Sequence, residues 1–305
     1  MSTRDITSPA STAVSTGDTP RGFAFALTAY LLWGVLPLYL KALAHVPVVE
    51  VLAHRVVWSV PIALAVLMAM GRTRDLRAAF ASPRTLAMGA VTAALITVNW
   101  GVYVWAIQSG QAMEAALGYY INPLFSIFLG AVLLGERLSR RQWAAVALAV
   151  AAVGVLTWEA GRLPLVALAL TLSWGLYAFF KRALPIGPNQ GFTLEVIVLT
   201  PFALGYMVWC ASGDDLFFLR AGPVDMALLI GCGLITAVPL MVYANGAKLL
   251  RLSTIAIMQY LTPTMVFVIA VFVFGEPFGQ ARTVAFPMIW LALILYSSEI
   301  LARRR

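Results

Sequence analysis

Charged side chains are scarce in this 305-residue chain: 11% of residues are Asp, Glu, Lys or Arg, against about 25% in a soluble domain, too few to cover a water-facing surface. Cysteine is scarcer still. Cys210 and Cys232 both fall inside apolar runs, which excludes a disulfide framework or a cysteine-built metal site and leaves ordinary packing. Only two histidines occur, with no His-Glu-x-x-His motif, so neither a zinc protease nor a catalytic dyad takes shape. The glycine-rich phosphate loop ending in Lys and Ser/Thr is also missing, which excludes a built-in ATPase. The formal net charge is +8, but the basic residues are scattered between apolar runs rather than gathered on one face, so a nucleic-acid partner is not expected. No cofactor and no metal are expected either.

Apolar residues make up 61% of the chain. A membrane-spanning helix takes about 20 mainly apolar residues, and ten runs meet that requirement, near 22–44, 48–70, 85–108, 112–134, 142–158, 163–183, 190–211, 224–247, 252–274 and 282–301. The first run has no small-residue cleavage site closing a short core and reads as a retained span rather than a secretory signal. Residues 1–21, rich in Ser, Thr and Ala and punctuated by Gly17 and Pro20, lack apolar material to pack or insert. They are expected to form a disordered cytoplasmic tail.

The chain repeats itself. Tyr120, Asn122, Pro123, Gly135 and Glu136 recur as Tyr260, Thr262, Pro263, Gly275 and Glu276, all at an offset of 140. Val102-Tyr103 answers to Val242-Tyr243 and Pro61 to Pro201 at the same offset, and Trp33-Gly34 to Trp174-Gly175 at 141. The two copies, 22–158 and 163–301, each hold five spans, so the second starts from the opposite side of the membrane and the repeats are inverted. An all-α integral membrane protein of ten transmembrane helices in two inverted five-helix repeats follows. Inverted repeats supply two near-equivalent arrangements, one open to each face, with solute held near the midplane.

Lys and Arg concentrate in cytoplasmic loops. With the N-terminus inside, Arg4, Arg21, Arg72, Arg74, Arg77, Arg84, Arg137, Arg140, Arg141, Lys181, Arg182, Lys248, Arg251 and Arg303 to Arg305 are cytoplasmic, 16 of the 21 basic residues. Lys41, Arg55, Arg162, Arg220 and Arg282 fall on the other side. The protein is therefore expected to be multi-pass in the inner (cell) membrane with both termini cytoplasmic.

Two five-span repeats, each closing its fourth span with Gly-Glu, resemble the EamA domains of the drug/metabolite transporter superfamily. The RarD proteins are the nearer resemblance, carried by Glu50, His54, Arg55 and Trp58; by Asn99, Trp100 and Trp105; by Glu114 to Pro123; and by Gly135 to Arg137 with Gln142 and Trp143. In the second half it rests on Leu163-Pro164, Glu195, Val238-Pro239-Leu240, Arg251 to Thr254, Gln259, Tyr260, Pro263 and Thr264. It covers about 22–301 and implies a ten-span inner-membrane carrier whose class is better defined than its cargo.

Charged groups inside a span are costly, about 2.5–3.5 kcal/mol each on insertion scales, and commonly face a cavity, a partner or an ion path. Arg55 and His54 lie about 10 Å into the second span from the outer side, at 1.5 Å per residue, and Glu195 lies as deep from the inner side. Arg55 and Glu195 are repeat counterparts at offset 140, too far apart in height to pair. Glu195 reads as a proton or cation acceptor, His54 as a second coupling group, and Arg55 as a fixed charge for an anionic solute group or for a nearby carboxylate such as Glu50. The bland alternative is that Arg55 and Glu195 snorkel to the interface. His45 reads as a solvated loop residue. Glu114 is expected to cap its helix N-terminus, and Glu136 and Glu276 read as structural turn residues.

Candidate substrate contacts are Trp33, Arg55, Trp58, Asn99, Tyr103, Tyr119, Asn122, Trp174, Tyr177, Tyr243, Asn245, Gln259 and Tyr260. Aromatic walls with a few polar anchors suit an amphipathic organic molecule. Pro123 and Pro263, matched in the fourth and ninth spans, remove a backbone hydrogen bond at the same place and are expected to kink both helices as hinges. No catalytic residue stands out. A secondary transporter moving a small metabolite or drug-like compound, as an exporter or gradient-driven exchanger, is the first reading. A sensor or lipid-modifying enzyme on a transporter-like fold is the second, and a channel the third. The expected partners are membrane lipids, a small-molecule substrate, protons and, since small residues on several helices permit it, a second copy of the chain.

Overall fold

The computed structural model describes residues 18–134, 138–247, 249–250 and 252–302; Gly135, Glu136 and Arg137, Lys248, Arg251, the terminal arginines and most of the expected tail lie outside the described residues. Every regular element among the described residues is helical. The helices are α1 (Pro20–Ala42), α2 (Val48–Ala69), α3 (Thr73–Ala81), α4 (Pro83–Gln108), α5 (Ala112–Leu134), α6 (Arg140–Ala160), α7 (Leu165–Ala183), α8 (Pro188–Ser212), α9 (Phe217–Arg220), α10 (Pro223–Ala247), α11 (Leu252–Met258), α12 (Leu261–Val268) and α13 (Gln280–Ala302). A π-helical segment, Ile269–Val273, extends α12.

Nine of these helices are long and apolar enough to cross a bilayer, and Leu261–Val273 is a shorter apolar piece. The ninth of the ten expected spans is thus broken into α11, a turn at Gln259 and Tyr260, and α12 with its π segment. Helix α1 begins at Pro20, two residues before the first expected run. Thr19 accepts the Gly22 N–H and so caps α1, Pro20 stands at its first turn where a missing N–H costs nothing, and the Thr19 N–H donates to Leu249 O at 3.2 Å. Two short helices also interrupt what reads in sequence as loop. In α3, Leu76 and Ala79 pack with Leu67 and Leu194, and α9 occupies the matching place after α8.

A shift of 140 residues carries α1 to α7, α2 to α8, α4 to α10, α5 to α11–α12 and α6 to α13. The packing obeys the same operation. α1 packs on α10 as α7 does on α4, α2 on α10 as α8 on α4, and α5 on α7 as α12 on α1. The remaining large contacts, α2 with α8, α5 with α12 and α6 with α13, join each helix to its own counterpart. Two clips echo the pattern: Glu50 on α2 accepts the Phe217 and Phe218 N–H groups that open α9, at 3.0 and 2.7 Å, while its counterpart Gln190 on α8 donates to Asp75 on α3 at 3.1 Å.

Bare backbone allows the closest approaches. A methyl group at Gly118 of α5 would meet the Ala167 carbonyl of α7 at 2.8 Å, and one at Gly233 of α10 would meet the Trp58 backbone of α2 at 2.3 Å, the small-residue contact by which membrane helices pack. Large apolar side chains point outward, Trp158 91% exposed and Phe272 78%, as a lipid-facing surface requires. Polar groups turn inward instead, and that inversion of the soluble pattern positions the site.

Candidate functional site

Helical spacing aligns one face of α7: Ser173, Tyr177 and Lys181 stand four residues apart with Trp174 beside them. On α4, Asn99, Trp100 and Tyr103 share a face, and Tyr119 of α5 closes the gap. Tyr119 donates to Asn99 Oδ1 at 3.1 Å, and Asn99 Nδ2 donates to Ser173 Oγ at 3.0 Å and to Leu170 O at 3.3 Å. The rings continue the line, with centroids 5.5 Å apart for Tyr103 and Tyr119, 6.2 Å for Tyr119 and Trp174, and 5.6 Å for Trp174 and Tyr177.

A closed ion pair terminates this line. Glu195, 1% exposed, accepts from Lys181 Nζ at 2.6 Å and from Tyr177 Oη at 3.2 Å, so both of its oxygens are engaged. Lys181 also lies over the Tyr177 ring, 5.5 Å from its centroid. Lys181, counted by sequence among the cytoplasmic basic residues, lies in the last turn of α7 and reaches Glu195 within the bundle.

Arg55 stands at the other end, 3% exposed, and it does not snorkel. Its Nε donates to Thr236 Oγ1 of α10 at 3.0 Å, and its guanidinium lies 4.6 Å over the Trp100 ring. A hydrogen bond from a charged group contributes about 1.5–3 kcal/mol and a desolvated cation–π contact about 2, comparable with the insertion cost of the charge. One guanidinium nitrogen, Nη1, is buried without a hydrogen-bond partner. Glu50 is not its partner, because both Glu50 oxygens are held by α9.

Arg55, Asn99, Tyr103, Tyr119, Trp174, Tyr177 and Glu195 therefore form one connected group. Trp33 and Tyr243 form another with Tyr30, their centroids 5.5–5.9 Å apart. His54 and Trp58 pair with each other, Trp58 Nε1 donating to His54 Nδ1 at 2.9 Å with the Phe218 ring 4.7 Å from the imidazole. Asn122 is buried on α5 with Oδ1 unpartnered, as is the Tyr260 hydroxyl; Asn245 bonds back to Met241 O within α10, and Gln259 lies in the turn between α11 and α12. Sequence reading missed Lys181, Trp100 and Thr236 as site residues. The i, i+4 placement of Lys181 after Tyr177 was the available signal for the first; nothing local marks Thr236, whose partner is 181 residues away.

Proline does not kink the two matched helices alike. Pro123 lies within continuous α5, whereas the break in the ninth span precedes Pro263, which sits in the first turn of α12. Glu114 lies in the first turn of α5, where the helix dipole favours a carboxylate, but it is not the acceptor for the leading N–H groups. The Ala112 and Met113 N–H groups donate instead to Glu276, at 2.6 and 2.9 Å, from the far end of the π segment, where Gly275 turns back at φ +67°. Burial holds the Glu276 carboxyl above its usual value, against the pull of those two N–H groups and of Arg282 and Lys41. His45 is paired with Asp225 at 3.2 Å rather than merely solvated.

A cleft lined by Met113, Glu114, Leu117, Leu156, Arg162, Arg282 and neighbours has a cavity volume of about 50 Å³. That is room for a few water molecules. Among the described residues, no group of three or more His, Cys, Asp or Glu side chains comes together to hold a metal.

Residues 20–158 match the EamA-like transporter family. Over nearly the full length, the chain is 38% identical to the protein RarD of Escherichia coli strain K12, covering 94% of this chain and 97% of that one. It is also 38% identical to an uncharacterized transporter of Vibrio cholerae (92% and 93% covered) and 37% identical to the uncharacterized transporter YojE of Bacillus subtilis (92% and 94% covered). The chain belongs to the EamA-like transporter family. It is a membrane transporter of the drug/metabolite type, multi-pass and all-helical. A solved crystal structure, 19% identical with a TM-score of 0.59 and covering 95% of this chain and 100% of that one, shares the fold. In this transporter the connected group lies in helices that pack across the two repeats.

Proposed function

We propose that the protein is a secondary transporter that exports or exchanges a small amphipathic organic molecule by alternating access, in the inner membrane with both termini cytoplasmic. The observation that carries this reading is the pairing of two inverted repeats around a buried group of aromatic and polar side chains, from Arg55 to Glu195. Rocking one repeat on the other exposes such a group to each face in turn. Aromatic walls with few anchors suit a metabolite or drug-like compound better than a bare ion, which calls for rings of carboxylates or carbonyls. One relative, from Pseudomonas aeruginosa, is named a chloramphenicol-sensitive protein, in keeping with cargo of that size.

Glu195 is the coupling group in this reading. Proton uptake by its carboxylate releases Lys181, and His54 is the second titratable group on the path. Trp33 of the first repeat joins the substrate path with Tyr243 and Tyr260 of the second. Lipids cover the apolar exterior, and a second copy of the chain can pack there.

The test compares solutes inside and outside cells expressing wild type or Glu195→Gln at matched membrane levels, across a range of external pH. A compound exported by wild type, with a pH dependence that the variant loses, is the expected result. Export with unchanged pH dependence in Glu195→Gln removes the coupling role, and no exported compound removes the carrier reading.

A further inference from the structure

Among the described residues, the line of side chains from Arg55 to Glu195 carries three charges, those of Arg55, Lys181 and Glu195, and two of them neutralise each other. Lys181 and Glu195 are closed on one another at 2.6 Å. Arg55 is left over. The titratable groups whose fields reach it are Cys232, Tyr119 and Tyr103, none of them ordinarily an anion near neutral pH. The next acid on its own helix, Glu50, has both oxygens taken by the Phe217 and Phe218 N–H groups. No described carboxylate lies within ion-pair distance of Arg55, and a guanidinium stays charged under all ordinary conditions.

We propose that Arg55 is an anion subsite and that the cargo is an organic anion with an aromatic or otherwise flat apolar body. This rests on the carrier reading for the occupant being cargo. The guanidinium is fixed on one edge by Thr236 and on one face by Trp100, so it is preorganised, and its Nη1 N–H groups are free to donate to a carboxylate or similar acid group. Tyr103 and Tyr119, edge to face at 5.5 Å, and Trp174 beyond them supply the wall against which the apolar body lies. An acid group arriving here turns a buried unpaired charge into a buried pair, and it must give up water for a site that is already built. A cation of the same shape meets an uncompensated positive charge and is rejected. The repeat counterpart cannot do this, since Glu195 offers a charge already taken by Lys181.

The test uses the full chain in lipid nanodiscs and three probes of one shape: 3-phenylpropionate, 3-phenylpropanamide and 3-phenylpropylamine. Binding is read by tryptophan fluorescence and by thermal shift. The carboxylate should bind about tenfold or more tighter than the amide, with the amine weakest; Arg55→Gln should bring the carboxylate down to the amide's level, and Arg55→Lys should keep part of the preference. Should Arg55→Gln fail to fold, the wild-type ranking together with Arg55→Lys decides. A carboxylate that binds no tighter than the amide in wild type, or a preference that persists without a cation at position 55, overturns the proposal. Proteoliposome uptake of the same probes separates the two readings. Uptake with no charge preference keeps the carrier and removes the subsite, whereas Arg55-dependent binding with no uptake keeps the subsite and removes the carrier.

Discussion

Arg55 on α2 and Glu195 on α8 occupy the same position in the two repeats, yet their surroundings differ in kind. Glu195 has a cation and a hydroxyl on its two oxygens; Arg55 has a hydroxyl and an aromatic face and retains an unpartnered nitrogen. The lysines show why. Lys181 and Lys41 are also counterparts, but Lys181 follows Tyr177 by one helical turn and reaches Glu195, while Lys41 ends α1 over the Phe274 ring, 5.5 Å from its centroid. Matched positions in the two repeats thus carry charges with different partners: one carboxylate held by a cation, one guanidinium held by a hydroxyl and a ring.

The comparison breaks most visibly at Lys181. Lys181→Met strands the Glu195 carboxylate in the bundle and should destabilise the protein by about 3–5 kcal/mol, measured by denaturant unfolding in detergent micelles. Lys181→Met with Glu195→Gln should recover most of that, and additive losses would show that the pair is not a unit. Arg55→Met should cost less, about 1–2 kcal/mol, because the lost hydrogen bond and cation–π contact are largely offset by relief from burying a charge, and no carboxylate is orphaned. A loss equal to that of Lys181→Met would mean that Arg55 has an acid partner after all.

Glu276 sharpens the contrast, as an acid satisfied by backbone N–H groups instead of a cation. Its carboxyl is held above the usual 4.5, so the folded protein binds this proton up to a higher pH than the unfolded chain. The stability contributed by that proton is complete below 4.5 and declines as pH rises through the raised value. Glu276→Gln should cost about 1 kcal/mol for the weakened cap and flatten this decline. A Tm–pH profile with wild-type slope would show that another group titrates. Tyr177→Phe should have the smallest effect, about 0.5–1 kcal/mol, because Lys181 still holds Glu195; a loss above that of Arg55→Met in the same unfolding series would assign the pair's strength to the hydroxyl.

Span positions were legible because hydrophobic length is a local property. The expected runs differ from the long helices by no more than two residues at either end, and the 140-residue offset carries over to the helix packing. The broken ninth span was not legible from its proline. Pro123 and Pro263 match, but around Pro263 the second repeat has Ser253, Thr254, Thr262 and Thr264, where α5 has Met113, Glu114, Asn122 and Leu124. Hydroxyl side chains compete for backbone hydrogen bonds and weaken a helix; Thr262 bonds to Tyr30 O of α1 at 3.0 Å and Thr264 to the Tyr120 hydroxyl of α5 at 2.7 Å. Glu114 marked the start of α5 correctly, but the second acid at that start, Glu276, is 164 residues from Ala112 and no local signal points to it.

The amino-acid sequence alone determined that this is an inverted-repeat, ten-pass membrane protein, because the bilayer demands apolar runs of a set length and a repeat is visible as identity at a constant offset. It also marked Arg55 and Glu195, because a charge within such a run stands out. Tertiary structure decided what those charges mean. Ion pairs, caps and ring stacks are made between helices far apart in the chain, so only their packing could show that Glu195 is answered by Lys181 and that Arg55, held by Thr236 and Trp100, meets no described carboxylate.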